Sequence, residues 1–149
     1  MPDNLAILSA SEPSPFGLEN ELGTSPFVIV CEHAGARLPK SLGTLGLDKE
    51  HLARHFMWDI GALDLARGIA QRLDAPLASQ RYSRMICDCN RHWEAETFIP
   101  THGEGIPVPA NVNLTLAERS RRRAEIWQPF QDGVENMLNA RDVRNQRTL

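Results

Sequence analysis

Apolar and polar positions fall in blocks along this chain, and the blocks differ in period. Residues 27 to 32 read FVIVCE, an apolar, β-branched run with no polar residue before its end. Such a run predicts a short buried strand. HAGARLP follows, and Gly35 and Pro39 mark a loop. Asp48 is placed to cap a short helix running through His55. The period then changes. Ile60, Leu63, Ala66, Ile69, Ala70 and Leu73 recur at helical spacing, which predicts a helix with one core face and Asp59 at its N-terminal edge. After Pro76 a second strand is expected at about 77 to 80. SRMICDCNR, 83 to 91, supplies Met85, Ile86, Cys87 and Cys89 and predicts a third strand over about 84 to 89.

The pattern breaks from 92 to 114, where prolines and glycines mark a long loop; loops of that length in compact domains are often functional. Thr115 and Glu118 fit a capping box. A helix is expected from there to about 140. Leu116, Ile126, Phe130, Val134, Met137 and Leu138 are its candidate core contacts, and Pro129 is expected to kink or restart it. Arg119, Arg121, Arg122 and Arg123 read as a solvated face of that helix. Residues 1 to 25 read as a flexible, loosely packed lead-in, and the last ten residues as a polar, frayed end. Strand, helix, strand in this order predicts a single α/β domain over 26 to 149, with a mixed or parallel sheet flanked by helices.

Composition narrows the partners. The chain has 149 residues, enough for one domain with a core, and a formal net charge of -3. The charge disfavours nucleic acid. No apolar run approaches the length of a membrane helix, and MPDNLAILSASEPSPFG lacks the basic start of a signal peptide. The cytoplasm is the expected compartment. The 3 cysteines argue against a complete disulfide framework. Cys87 and Cys89 read as small core hydrophobes; a zinc site joining them to Cys31 and His33 is the sharper alternative, but its spacing is unlike that of structural zinc sites.

Polar residues collect where strands are expected to end, and in open α/β sheets ligands bind beyond the carboxyl ends of strands. FVIVCE delivers Glu32 and His33 to such an edge; the third strand would deliver Asp88, Asn90 and Arg91. His33, on a glycine-containing loop, is a candidate metal ligand or a plain loop histidine. Asp59 is a candidate ligand or a helix cap. Arg91 presents a planar fork suited to a carboxylate, with Asn90 adding an amide. Arg84 assists the same anion or pairs with Asp88. His51 and His55, four apart, have a spacing that can hold a metal or only share a polar face. His92 and His102 are rim or loop residues.

VCEHAGARLP, HFMWDIGALDLA, YSRMICDCNR and GIPVPANVNLTLAER, in this order, resemble the N-formylglutamate amidohydrolase family. The resemblance covers about residues 27 to 138. It implies a phosphorylase/hydrolase-like α/β fold akin to zinc carboxypeptidases and aspartoacylase-like deacylases. It implies one Zn²⁺ held by His33 and, with Asp59, a second ligand. Asn90 and Arg91, helped by Arg84, would hold the carboxylate of an N-acyl amino acid such as N-formylglutamate, whose amide is hydrolysed. No general base is assigned. Relatives are longer, with a later strand and loop bearing a further histidine, and carry an aromatic–His pair where this chain has Phe130 and Gln131. The chain is therefore expected to be incomplete at the C-terminus, with an exposed sheet edge that favours a homo-oligomer. Two other readings stand beside the zinc amidohydrolase: a non-catalytic remnant binding a small carboxylate through Arg91 and Arg84, and an interaction domain docking a partner on the long helix near Trp127.

Overall fold

The computed structural model describes residues 6–144, 146 and 148. At its centre lies a mixed three-stranded sheet in the order β1-β3-β2. Strand β2 (Ile29–Cys31) runs parallel to β3 (Leu77–Gln80), with Ile29 opposite Leu77 and Cys31 opposite Ser79. Strand β1 (Phe16–Glu19) pairs antiparallel with β3 from Phe16 opposite Gln80 to Glu19 opposite Leu77. All four residues of β3 are buried, as its central place requires.

β1 lies inside the segment read as a loose lead-in, and the described part of that segment is packed. The Phe16 and Phe130 rings approach to 6.2 Å between centroids. Arg141, fully buried, donates to the carbonyls of Gly23 and Ser25. Serine, proline and glutamate with little periodicity pointed to a loose lead-in because β1, FGLE, is too short to show a period. The same arginine corrects the frayed end: helix α3 (Gln128–Val143) continues through it. Asn145, Arg147 and Leu149 lie outside the described residues.

Helix α1 (Ala62–Leu73) crosses β2 and β3. Its N-cap is Gly61, with φ at 82°, so Asp59 does not cap it. Ala66 and Ala70 face the sheet, with Leu63 partly buried. Ile60, Ile69 and Leu73 were expected in the core but stand exposed, as does Leu65. On the opposite flank Arg67 forms a bidentate pair with Glu19 of β1. With that pair the charged flank faces β1. The apolar flank therefore lies on the side of β2, which is an edge strand.

The third predicted strand does not form. Residues 83 to 89 run as a buried chain of turns. Their backbone is satisfied partly by side chains and partly by single bonds to other segments, such as Ser83 N–H to the Arg37 carbonyl at 2.8 Å and Asp88 N–H to the Phe98 carbonyl at 2.7 Å, in place of a ladder. The Ser83 hydroxyl donates to the Met57 carbonyl at 2.7 Å and accepts from the Met85 N–H at 3.1 Å. Asn111 Nδ2 donates to the carbonyls of Met85 and Pro100, both at 2.7 Å. Arg122 Nη1 donates to the Ile86 carbonyl at 3.0 Å and to Asn111 Oδ1 at 2.6 Å. Arg122 is thus a buried scaffold and not part of a solvated face. Burial pulls its pKa down.

The capping box of helix α2 (Leu116–Arg122) forms between Thr115 and Glu118. A π turn, Arg123–Trp127, joins it to α3 just before Pro129, whose missing N–H interrupts the regular ladder. Ile126, Phe130 and Met137 are buried, whereas Leu116 is exposed. The long loop holds a two-residue hairpin, β4 (His102–Gly103) with β5 (Ile106–Pro107). Glu104 and Gly105 turn it with φ of 51° and 79°, the positive-φ pair of a tight hairpin turn.

Candidate active site

Four side chains meet where β2 ends. The chain leaves Cys31 in a turn that presents His33, and Gly35 lets this turn press on the exit from β3, since a Cβ there would run into the Arg81 carbonyl. The Asp59 N–H donates to the His33 carbonyl at 3.0 Å, which brings the segment before α1 alongside. Asp59 Oδ2 lies 3.2 Å from His33 Nδ1. Asp88 Oδ1 lies 2.7 Å from His33 Nε2 and also accepts from the Asn90 N–H at 2.9 Å. Arg84 is anchored by Nε on the Phe56 carbonyl at 3.0 Å. Its Nη1 lies 2.9 Å from Asp59 Oδ1 and 3.0 Å from His33 Nδ1.

Proton placement follows from the donors. A guanidinium can only donate. With His33 neutral, Nδ1 accepts from Arg84 and Nε2–H donates to Asp88. The Asp88 bond is the main cause of a raised His33 pKa, against burial and the nearby Arg84 charge. For Asp88, burial resists ionisation, but the His33 bond, the Asn90 N–H and the charges of His33 and Arg91 outweigh it and lower its pKa.

His33 Nδ1 and Asp59 Oδ2 are spaced as two ligands of one metal would be, but Arg84 Nη1 holds the same nitrogen lone pair at 3.0 Å, so a metal there needs Nη1 to leave Nδ1. Two ligand atoms on one tetrahedral zinc lie about 3.3 Å apart, given bonds of about 2.0–2.1 Å. His33 Nδ1 and Asp59 Oδ2 stand 3.2 Å apart. The other ring nitrogen is held by a carboxylate, the usual outer partner of a ligating histidine. Arg84 Nη1 presents a positive charge to both candidate ligands. A separate group, Asp48, Glu50 and His51, brings its ligand atoms within 4.8 Å of one another but is largely exposed and lines no part of the cleft.

The cluster opens into a cleft of about 330 Å³. His33, Arg84 and Asp88 line one side; Arg91, Thr97, His55, His102 and Glu104 line the rest. Glu104 accepts from His55 Nε2 at 2.6 Å and pairs with Arg54 at 3.0 Å. His33 and Arg91 therefore share one cavity. Asn90 does not line it; its side chain is exposed and its N–H serves Asp88. Arg84 pairs with Asp59, not with Asp88. His51 and His55 do not act as a pair, because the helix expected there is only a 3-10 turn, His51–Ala53, not capped by the Asp48 side chain. Cys31, Cys87 and Cys89 are buried free thiols, and none lines the cleft. The role of Asp88 as partner of His33 was not foreseen. Its local signal was the Asp-Cys-Asn spacing, since an aspartate that accepts from the N–H two residues on makes an Asx turn.

A helix-flanked mixed sheet with a His–carboxylate–guanidinium cluster at the carboxyl end of its parallel pair defines an α/β protein with a polar, ligand-sized cleft. The chain belongs to the N-formylglutamate amidohydrolase family, whose pattern its residues 25–149 match. It is similar to a solved crystal structure of a gene product from Agrobacterium tumefaciens, at 35% identity and a TM-score of 0.91. The match covers 95% of this chain and 56% of that one, so this chain spans little more than half the length of its relative. No curated protein matches it. No described helix is long and apolar enough to cross a membrane.

Proposed function

We propose that this chain carries the metal- and carboxylate-binding part of a zinc-dependent amidohydrolase that cleaves the amide of an N-acyl amino acid such as N-formylglutamate. One observation carries the reading: His33 and Arg91 line one cleft, with Asp59 and Asp88 on the two nitrogens of His33. The family supports an amidohydrolase. His33 Nδ1 and Asp59 would hold Zn²⁺, and Asp88 would fix the ring with Nε2–H turned away from the metal. Bound there, zinc supplies Lewis acidity toward an amide carbonyl and its water. Arg91, exposed at the cleft rim, takes the substrate carboxylate through its planar fork. Arg84 holds Asp59 in place through Nη1, and Asn90 serves through its backbone. The reading includes the zinc-carboxypeptidase-like, phosphorylase/hydrolase-like fold, and a cytoplasmic setting in which the three thiols stay reduced. It also includes a homo-oligomer formed at the exposed β2 edge.

The test is direct. Purified protein is titrated with zinc and then with N-formylglutamate, and formate release is followed. Zinc retention that His33→Ala abolishes, and ligand binding that Arg91→Ala weakens at least tenfold, support the reading. Absence of both in the wild-type chain ends it.

A further inference from the structure

We propose that the pocket between residues 93–98 and helix α2 is a second ligand site, built for a small organic carboxylate. The pocket measures about 250 Å³ and stands behind the wall that carries Thr97 and Arg91. Two aromatic rings and two guanidiniums define it. The Arg123 guanidinium lies 3.8 Å over the Trp93 ring, and that of Arg119 lies 5.9 Å from the Phe98 centroid. Arg119 and Arg123, four residues apart, share one helix face. The contact with an aromatic uses the flat face of a guanidinium and leaves its N–H edge free to donate. Among the described residues neither arginine forms an ion pair or a side-chain hydrogen bond.

The one acid at the pocket, Glu94, sits 3.5 Å from His92 Nδ1 with its side chain mostly exposed. It leaves the arginine edges to an incoming anion. Leu116, exposed at the mouth, and the part of Trp93 that Arg123 does not cover offer apolar contact that a bare inorganic anion does not use, while Phe98, buried beneath, forms the floor. The complement is a carboxylate on a compact apolar or aromatic body. The volume, below that of drug-sized pockets, limits it to about the size of an amino acid. A π turn begins at Arg123, and such turns are frequent at functional sites.

Benzoate is the probe, titrated calorimetrically into wild-type protein, with inorganic phosphate as the second arm. Benzoate is expected to bind at least tenfold tighter than phosphate. Arg119→Ala and Arg123→Ala each weaken benzoate at least tenfold, and Arg91→Ala leaves it within twofold. Leu116→Asp sets a competing carboxylate at the mouth without touching the core, so it abolishes binding even if an arginine variant fails to fold. Melting curves report folding separately. Benzoate affinity that survives Leu116→Asp and both arginine changes, or that is lost with Arg91→Ala, overturns the proposal. So does phosphate binding as tightly as benzoate, or no benzoate binding to wild type.

Discussion

The two walls of the cleft are built in opposite ways. On one, His33, Asp88 and Arg84 line the cleft and bond with Asp59, which does not line it, and with the backbone of Phe56 and Asn90. Behind it Arg122 and Asn111 hold the buried turns that carry Asp88. On the other wall, Arg91 touches only its neighbour's carbonyl, and His102 only its neighbour's hydroxyl. The first wall is fixed before any ligand arrives, which suits a metal whose ligands must be pre-placed. The second keeps its donors free for substrate. Stability should therefore depend on the first wall and ligand affinity on the second.

The largest effect is expected behind the fixed wall. Arg122→Ala leaves the carbonyls of Ile86 and Ala110 and the Asn111 amide oxygen without their donors. Two of these acceptors, the Ile86 carbonyl and Asn111 Oδ1, are buried, and with each unsatisfied buried group costing about 1–3 kcal/mol a loss of about 2–6 kcal/mol is expected in denaturant unfolding. A loss below about 1 kcal/mol would show that the turns of 83–89 hold themselves.

Next comes the charge pair on the fixed wall. The metal-free His33 pKa is raised on folding, so its stabilisation is complete below its ordinary value of 6.5 and is lost as pH rises through the higher folded value. The Asp88 pKa is lowered, so its stabilisation is present above 3.8 and is lost as pH falls through the folded value. Stability from this pair should be fullest between those two ordinary values. Asp88→Asn should remove about 1–3 kcal/mol in that window, the range for hydrogen bonds to charged groups and for buried groups left unpaired. It should flatten the pH profile above it. Unfolding free energies from pH 4 to 9 test both; an unchanged slope in the variant would assign the pH dependence elsewhere. The same variant should weaken zinc by about 10–100-fold, as outer-partner changes do.

How far the sequence spoke depended on whether a residue's role was local. The β3 run LASQ, the helical period of α1 and the Thr115–Glu118 box are local signals, and each appears where expected. His33 and Arg91 were expected to face one pocket and both line the same cleft, although Arg91 reaches it from a turn and not from a strand end. MICDC was misread, because a buried apolar run looks alike whether a neighbouring strand or a distant arginine satisfies its backbone. Arg122 lies 36 residues from the Ile86 carbonyl it serves, and no local period announces that bond. The flank of α1 was misjudged as well: its period marks one face, but only packing on the sheet shows that Ala66 and Ala70, and not Ile69 and Leu73, are buried.

On the open wall the expected balance reverses. Arg91 is exposed and makes one bond to a carbonyl beside it, so Arg91→Ala should shift stability by no more than about 0.5 kcal/mol. Yet under the proposed function it should lose at least tenfold in affinity for N-formylglutamate, because the guanidinium fork would receive the substrate carboxylate. Parallel melting and calorimetry decide it. A destabilised protein with unaltered affinity would make Arg91 a structural residue and erase the contrast between the walls.

The smallest effect is expected at the tip of the β4–β5 hairpin. Glu104 ties that hairpin to Arg54 and His55, and both partners are about half or more exposed. Ion pairs of that kind contribute about 0.2–1 kcal/mol and weaken with salt. Glu104→Gln should therefore cost less than about 1 kcal/mol at low salt and nothing measurable at high salt. Arg54 and His55 should also exchange more freely on the microsecond scale that relaxation dispersion reads. If the hairpin only closes the cleft, ligand affinity should fall by less than fivefold. A loss as large as that of Arg91→Ala would place Glu104 in contact with substrate and make the hairpin part of the ligand site.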